Sequence, residues 1–295
     1  MRRTETAKSD HDQRQNLLRT WTRAAINTGV MASAAMLMCL NTTGAQAGET
    51  QTGEAKEAAK WQAVPDGVFF WQLQGNVTPA KGSRVVDSDL FDTPASQVAK
   101  WRKQGLYPVC YVNVGAFEDW RDDASDFPED VIGAAYDGWD GERWLDISQY
   151  WAFNQIIEAR LDLCASKGFL AVEPDNIDGY DNETGFDISR DDQLAYLRWL
   201  IEQAHQRGLA IGQKNAPDLI GDLVDEMDFA LLESAWRDGF LEDFSPYRNQ
   251  NKPVFAVEYR EDGASLKKMC GDISQQGFIG VLADYDLSGH IENCR

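Results

Sequence analysis

The sequence predicts a single (β/α)8 barrel, a TIM barrel, over residues 61–295, with an irregular first unit and a long loop after the third strand. Three observations carry this. Eight short apolar runs, at 68–73, 84–89, 107–114, 169–173, 209–214, 229–233, 253–258 and 278–283, read as parallel strands covered on both faces. Helix-like stretches at 95–104, 151–167, 190–207, 216–226 and 265–276 lie between them, and Gly105, Gly168, Gly208 and Gly277 each separate a helix from the next strand. Finally, polar and charged residues gather at the C-terminal ends of nearly every strand, the end at which this fold carries its active site.

The segment before the barrel has a different character. Arg14, Arg19 and Arg23 precede a mostly apolar run over 24–40, followed by Ala45-Gln46-Ala47. Basic, apolar, then small-x-small is the order of a secretory signal, so residues 1–47 are expected to be cleaved and residues 48–60, small and polar, to form a linker. The apolar run is interrupted by Asn27, Thr28 and Gly29 and is short for a membrane span, so no stable membrane insertion is expected after cleavage. The expected location is secreted or periplasmic.

Along the barrel, only ten residues separate the first strand from the second, too few for a helix, hence the irregular first unit. Ser189 with Asp192 three positions on marks a helix start, and Gly208 marks its end. The loop from Gly115 to Ser148 is long enough to be functional, and carries Trp120, Phe127, Tyr136, Trp139 and Trp144 among many acids. Aromatic faces beside carboxylates suit sugars, whose C–H faces stack on rings while hydroxyls take hydrogen bonds.

Composition narrows the partners. The chain carries a net charge of −20, and loses six basic and three acidic side chains with residues 1–47, leaving −23. Such a field disfavours nucleic acid and favours cationic partners. Four cysteines remain, Cys110, Cys164, Cys270 and Cys294, with three possible connectivities, of which 110–164 and 270–294 is the most local. Their spacing fits no zinc motif, and no cofactor is expected.

The strongest chemical signal is Glu173-Pro174-Asp175-Asn176-Ile177-Asp178-Gly179-Tyr180, directly after the fourth apolar run. Carboxylates in such a place are costly unless paired, and at a barrel mouth they become candidates for acid–base or covalent chemistry. The other strand ends contribute Gln72, Asp89, Tyr111, Asn113, Lys214, Glu233, Glu258 and Tyr259. Glu173, Asp175 and Asp178 also allow a calcium or magnesium site of hard oxygen ligands, although the spacing does not follow the calcium-loop pattern.

With these residues in view, the chain resembles glycoside hydrolase family 114, the endo-α-1,4-polygalactosaminidase-like barrels. The resemblance runs from Trp71 to Cys294 through Trp71-Gln72-Leu73-Gln74-Gly75, Val86-Asp87-Ser88-Asp89, Tyr111-Val112-Asn113-Val114-Gly115, Trp144-Leu145-Asp146-Ile147, the octapeptide at 173–180, Lys214-Asn215-Ala216 and Val257-Glu258-Tyr259. It departs where Glu233 is followed by Ser234-Ala235-Trp236, a place where the family often has another acid and a cysteine. The resemblance implies a secreted hydrolase of α-1,4-linked galactosamine polymers, a cationic polysaccharide, acting in the endo mode through Asp175 and Glu233. By analogy with related α-glycosidase barrels, Asp175 is the nucleophile and Glu233 the general acid/base of a retaining reaction. Gln72, Asp89, Tyr111, Asn113, Glu173, Asn176, Asp178, Lys214, Glu258 and Tyr259 are the expected substrate contacts. A hydrolase of another α-linked glycan and a glycan-binding barrel without turnover are the competing readings.

Overall fold

The structure, a computed structural model, describes residues 60–294. The expected signal, and all of the expected linker but its last residue, lie outside the described residues. The described residues form one unit.

Eight parallel strands make the barrel: β1 (Phe69–Trp71), β2 (Val85–Asp89), β3 (Tyr107–Asn113), β7 (Ala171–Asp175), β8 (Ala210–Lys214), β9 (Phe229–Glu233), β10 (Val254–Tyr259) and β11 (Ile279–Ala283). Between β3 and β7 the long loop folds into its own antiparallel sheet of β4 (Ala116–Glu118), β5 (Ile132–Ala135) and β6 (Glu142–Leu145), with β6 in the middle. The major helices are α1 (Ala95–Lys103), α2 (Asn154–Lys167), α3 (Arg190–Gln206) and α7 (Leu266–Gln275); α4 (Ile220–Leu223), α5 (Ala235–Asp238) and α6 (Ser245–Asn249) are single turns. As expected, no helix separates β1 from β2, and Ser189 and Asp192 form a reciprocal capping box at the start of α3. None of the described helices is long and apolar enough to cross a membrane.

The seam between the first and last parallel strands is closed by a ninth, β12 (Glu292–Asn293), antiparallel to β11. The Asn293 side chain then acts as a peptide group toward β1: its Nδ2 donates to Phe69 O at 3.0 Å and its Oδ1 accepts from Phe69 N at 3.2 Å. The Cys270–Cys294 disulfide ties this strand to α7, and Cys110–Cys164 ties β3 to α2, the local pairing. Gly280 is required here, because a Cβ would stand 2.5 Å from Cys294 Sγ.

Two elements differ from expectation. The fourth barrel strand lies at 171–175 rather than 169–173, running through Pro174. Its pairing with β3 continues to Asn113–Asp175, whereas its pairing with β8 stops at Val172–Ile211, just ahead of the proline that has no N–H to give. Asp175 is thereby the last residue of a strand and not a loop residue. The helix expected at 216–226 is a 3₁₀ turn followed by α4, with Gly221 inside the short helix.

Inside the barrel, Phe69, Trp71, Val85, Val109, Phe229, Leu231, Phe255 and Val257 form the buried filling. Residues 61–64 close its N-terminal end. Val64 packs into this filling, and Tyr107 donates its hydroxyl to Gln62 O at 2.6 Å. Trp61 stacks on His205 at 3.6 Å and donates to Asp228 at 2.7 Å. The opposite end is left for polar residues.

Candidate active site

At the C-terminal mouth the inward positions of β7, β8 and β9 are Asp175, Lys214 and Glu233. Lys214, 4% exposed, donates to Glu173 Oε1 at 2.8 Å and Asp175 Oδ1 at 2.9 Å, and stands 3.0 Å from Glu233 Oε2. Burial alone would lower its pKa, but the three carboxylates hold the ammonium well above its ordinary value. The remaining oxygens are also engaged: Tyr111 donates to Asp175 Oδ2 at 2.9 Å, Tyr259 donates to Glu233 Oε1, and Trp71 Nε1 donates to Glu173 Oε2 at 3.1 Å. Trp71 also lies under Lys214, its ring centroid 5.3 Å from Nζ. Asn215, at a left-handed φ of 44°, accepts from Glu233 N at 2.9 Å and fixes the turn after β8.

Behind this cluster sits Asp87, fully buried, with no basic side chain bonded to either oxygen. Burial, with the adjacent Glu173 charge next, pushes its carboxyl well above the usual range. It adjoins Glu173, whose other neighbours are Lys214 and Trp71.

A second network anchors the β4–β6 sheet over the mouth. Arg121 bonds Asp89 through both terminal nitrogens, at 3.1 and 2.7 Å, and Glu118 at 2.7 Å. The buried Arg160 of α2 bonds Asp123 and donates to Asn113 O at 2.8 Å. Glu142 of β6 lies at 3.4 Å from Asn113 Nδ2, and burial followed by the charges of Glu118 and Asp175 pushes its pKa up to about 9. Tyr136 packs on Trp144 at 4.8 Å, and its hydroxyl pKa is raised by burial and by the charges of Asp175, Asp178, Glu233 and Glu142.

The expected contacts therefore divide. Asp175, Glu233, Glu173, Lys214, Tyr111 and Tyr259 form one hydrogen-bonded group. Asp178 adjoins it, its carboxyl raised by burial and by Asp175. Asn176, in left-handed backbone at φ 62°, sits so close to Gly115 that a Cβ there would meet its carbonyl. Asn113 spends its Oδ1 on Ala116 N at 2.8 Å. Asp89 is consumed by Arg121 and by the N–H groups of Phe91 and Asp92. Gln72 and Glu258 alternate with the inward Trp71 and Tyr259 and so face out of the barrel. Gln72 braces the β1–β2 loop through Gln74 O, Asn76 O and Thr78 N, while Glu258 accepts from Trp236 N at 2.7 Å, with burial pushing its pKa up to about 7. These two are structural, contrary to the sequence expectation.

Glu142, Glu118 and Arg121 were not anticipated as neighbours of the site. They lie in a loop whose fold no local pattern announces. Of that loop's aromatics, Phe127 and Trp144 are buried and Trp120 is about half exposed. Among the described residues no group of three or more histidines, cysteines or carboxylates is arranged to hold a metal ion. Two of the three carboxylates considered for a cation, Glu173 and Asp175, face the Lys214 ammonium instead.

The sequence matches the family description of Glycoside-hydrolase family GH114 over residues 50–295. The chain belongs to family GH114. It is accordingly a glycoside hydrolase. Aspergillus fumigatus Ega3, solved in complex with galactosamine, is similar at 30% identity with a TM-score of 0.75, over 82% of this chain and all of that one. The glycoside hydrolase domain of PelA from Pseudomonas aeruginosa shares the fold at 16% identity, TM-score 0.60, over 76% of this chain and 96% of that domain. An uncharacterized protein of Deinococcus radiodurans is 26% identical over 230 residues, 70% of this chain and 73% of that protein.

Proposed function

We propose that this GH114 chain is an exported, endo-acting, retaining glycoside hydrolase of α-1,4-linked galactosamine-containing polysaccharide, with Asp175 as nucleophile and Glu233 as general acid/base. One observation carries the reading: Asp175 and Glu233 face each other across a single ammonium at the barrel mouth. Each has an oxygen within about 3 Å of Lys214 Nζ, so those two oxygens stand less than about 6 Å apart. That span fits the roughly 5–5.5 Å of retaining enzymes better than the 6.5–9.5 Å that leaves room for an inverting water.

In the first displacement Asp175 attacks the anomeric carbon while Glu233 gives its proton to the departing glycosidic oxygen. In the second, water attacks the same carbon, Glu233 takes the water proton, and Asp175 leaves as carboxylate. Tyr111 and Tyr259 hold the two carboxylates in aim. The galactosamine in the Ega3 complex supports an amino sugar as substrate, and so does the acid excess at the mouth, which attracts an ammonium group. Export is supported by the signal-like residues 1–47 and by the two disulfides, which persist in oxidising compartments.

The test is hydrolysis of partially deacetylated α-1,4-galactosaminogalactan. Asp175→Asn should lower turnover by at least about a thousand-fold, with little change in the unfolding midpoint. A variant keeping more than about a tenth of wild-type turnover would overturn the assignment.

A further inference from the structure

Lys214 was expected to touch substrate, but Glu173 and Asp175 accept hydrogen bonds from its ammonium at 2.8 and 2.9 Å, and Glu233 stands beside it as an ion-pair partner at 3.0 Å. Three carboxylates thus surround the one charge. The three partners are also unequal. Glu173 is 1% exposed and held in place by Trp71 Nε1, so it can only anchor the ammonium. Asp175 and Glu233 are partly open to the mouth, with side-chain exposures of 19% and 28%.

We propose that Lys214 is a positioning residue that balances the single negative charge passed between Asp175 and Glu233 in the two halves of the reaction. This rests on the roles proposed above for that pair. Before the first displacement the charge is on Asp175 and the proton on Glu233. When the Asp175–carbon bond forms and the glycosidic bond breaks, Glu233 has lost its proton to the leaving oxygen and now carries the charge. Hydrolysis reverses this: water oxygen bonds the carbon, its proton goes to Glu233, and Asp175 is released as carboxylate. One negative charge is conserved on the pair throughout, and it moves between oxygens 2.9 and 3.0 Å from one nitrogen. An ammonium nearly equidistant from both needs no rearrangement as the charge moves, which is the condition under which fixed charges lower barriers most. The same ammonium assists the acid role of Glu233 in one step and the departure of Asp175 in the other.

The groups around this ammonium come from six other strands of the barrel: Trp71, Asp87, Tyr111, Glu173 and Asp175 from β7, Glu233, and Tyr259 behind it. With the cation removed, the remaining carboxylates hold their protons to higher pH. Lys214→Met should therefore lower kcat by roughly a hundred-fold or more, leave KM nearly unchanged, and move the acid limb of the kcat/KM profile upward by about one pH unit or more. An aryl glycoside with an acidic leaving group should not rescue it, because release of Asp175 in the second step is impaired as well. Lys214→Gln serves as the second variant, and unfolding of both is followed by circular dichroism.

A rise in KM with kcat retained would make Lys214 a substrate contact and overturn the proposal. A fall in kcat with both pH limbs in place would reduce it to a structural ion pair. If neither variant folds, a covalently trapped glycosyl–Asp175 adduct of the wild type decides: Lys214 Nζ should pair with Glu233 and make no bond to the sugar, and a bond to a sugar hydroxyl refutes it. Asp175→Asn run in parallel separates the two ideas, since its retained activity would remove the proposed pair itself and not the balancing role.

Discussion

Glu142→Gln should stabilise the protein, and more so as pH rises. Glu142 is 7% exposed, has Asn113 Nδ2 at 3.4 Å, and shares its surroundings with Glu118 and Asp175, so its folded pKa stands at about 9 against an ordinary 4.5. A raised carboxyl pKa means that the folded state keeps a proton which the unfolded chain releases. Stability associated with this group is therefore complete below about pH 4.5 and is lost progressively as pH climbs toward 9. At about 1.4 kcal/mol per pH unit, the cost is about 1 kcal/mol at pH 5, about 3 at pH 7 and about 5 at pH 8.5. Glutamine has the same shape, accepts from Asn113 in the same way and needs no proton. Urea unfolding of both proteins at pH 5, 7 and 8.5, at one salt concentration, isolates the effect, because Asp87 and the other raised carboxyls are common to both. The difference should widen with pH, and turnover at pH 7 should survive, since Glu142 is already neutral there. A constant difference across the three pH values would refute the account of Glu142 as a buried neutral acid.

Two further outcomes are expected. Replacing both cysteines of Cys110–Cys164 by alanine should cost about 4 kcal/mol in the chain-entropy treatment, and Cys270–Cys294 about 3.5 kcal/mol for its shorter loop; urea unfolding measures both, and a loss below about 1 kcal/mol would contradict it. Protein recovered from the medium or periplasm should begin near residue 48 by N-terminal sequencing; an intact residue 1–40 segment would exclude cleavage there.

The barrel was legible because each parallel strand is a short apolar run buried on both sides, and such runs announce themselves without knowledge of their neighbours. The closure was not. Asn293 substitutes for a peptide group only because β12 happens to arrive beside Phe69, a relation across 224 positions of sequence. The β4–β6 sheet was equally hidden: Ile132-Gly133-Ala134-Ala135 has no strand signature, and its backbone is held by Arg143, which donates to Ile132 O and Gly133 O, and by Thr184 O, which accepts from Ala134 N.

At the site, strand-end position identified Asp175, Lys214 and Glu233, but position alone also admitted Gln72 and Glu258. The alternation of side chains corrects both, since Trp71 and Tyr259 take the inward places beside them. What sequence could not supply was protonation. Whether Asp87, Glu142 and Asp178 are acids or anions depends on burial and on which neighbours arrive from other strands.

That protonation pattern explains how so acidic a mouth can fold. A buried carboxylate must be paired or neutral. Asp89 and Glu118 are paired with Arg121; Glu142 keeps its proton, and burial pushes the Asp87 carboxyl the same way; Asp175, Glu173 and Glu233 share one lysine. Glu173, Asp175 and Glu233 outnumber Lys214, so the substrate-free centre retains an unbalanced negative charge. A neutral sugar entering this space would bring hydroxyls but no counter-charge, and would displace the water that screens the excess. An ammonium-bearing sugar would bring the missing charge with it. The centre is thus left short of positive charge, and in the proposed substrate class the substrate supplies it.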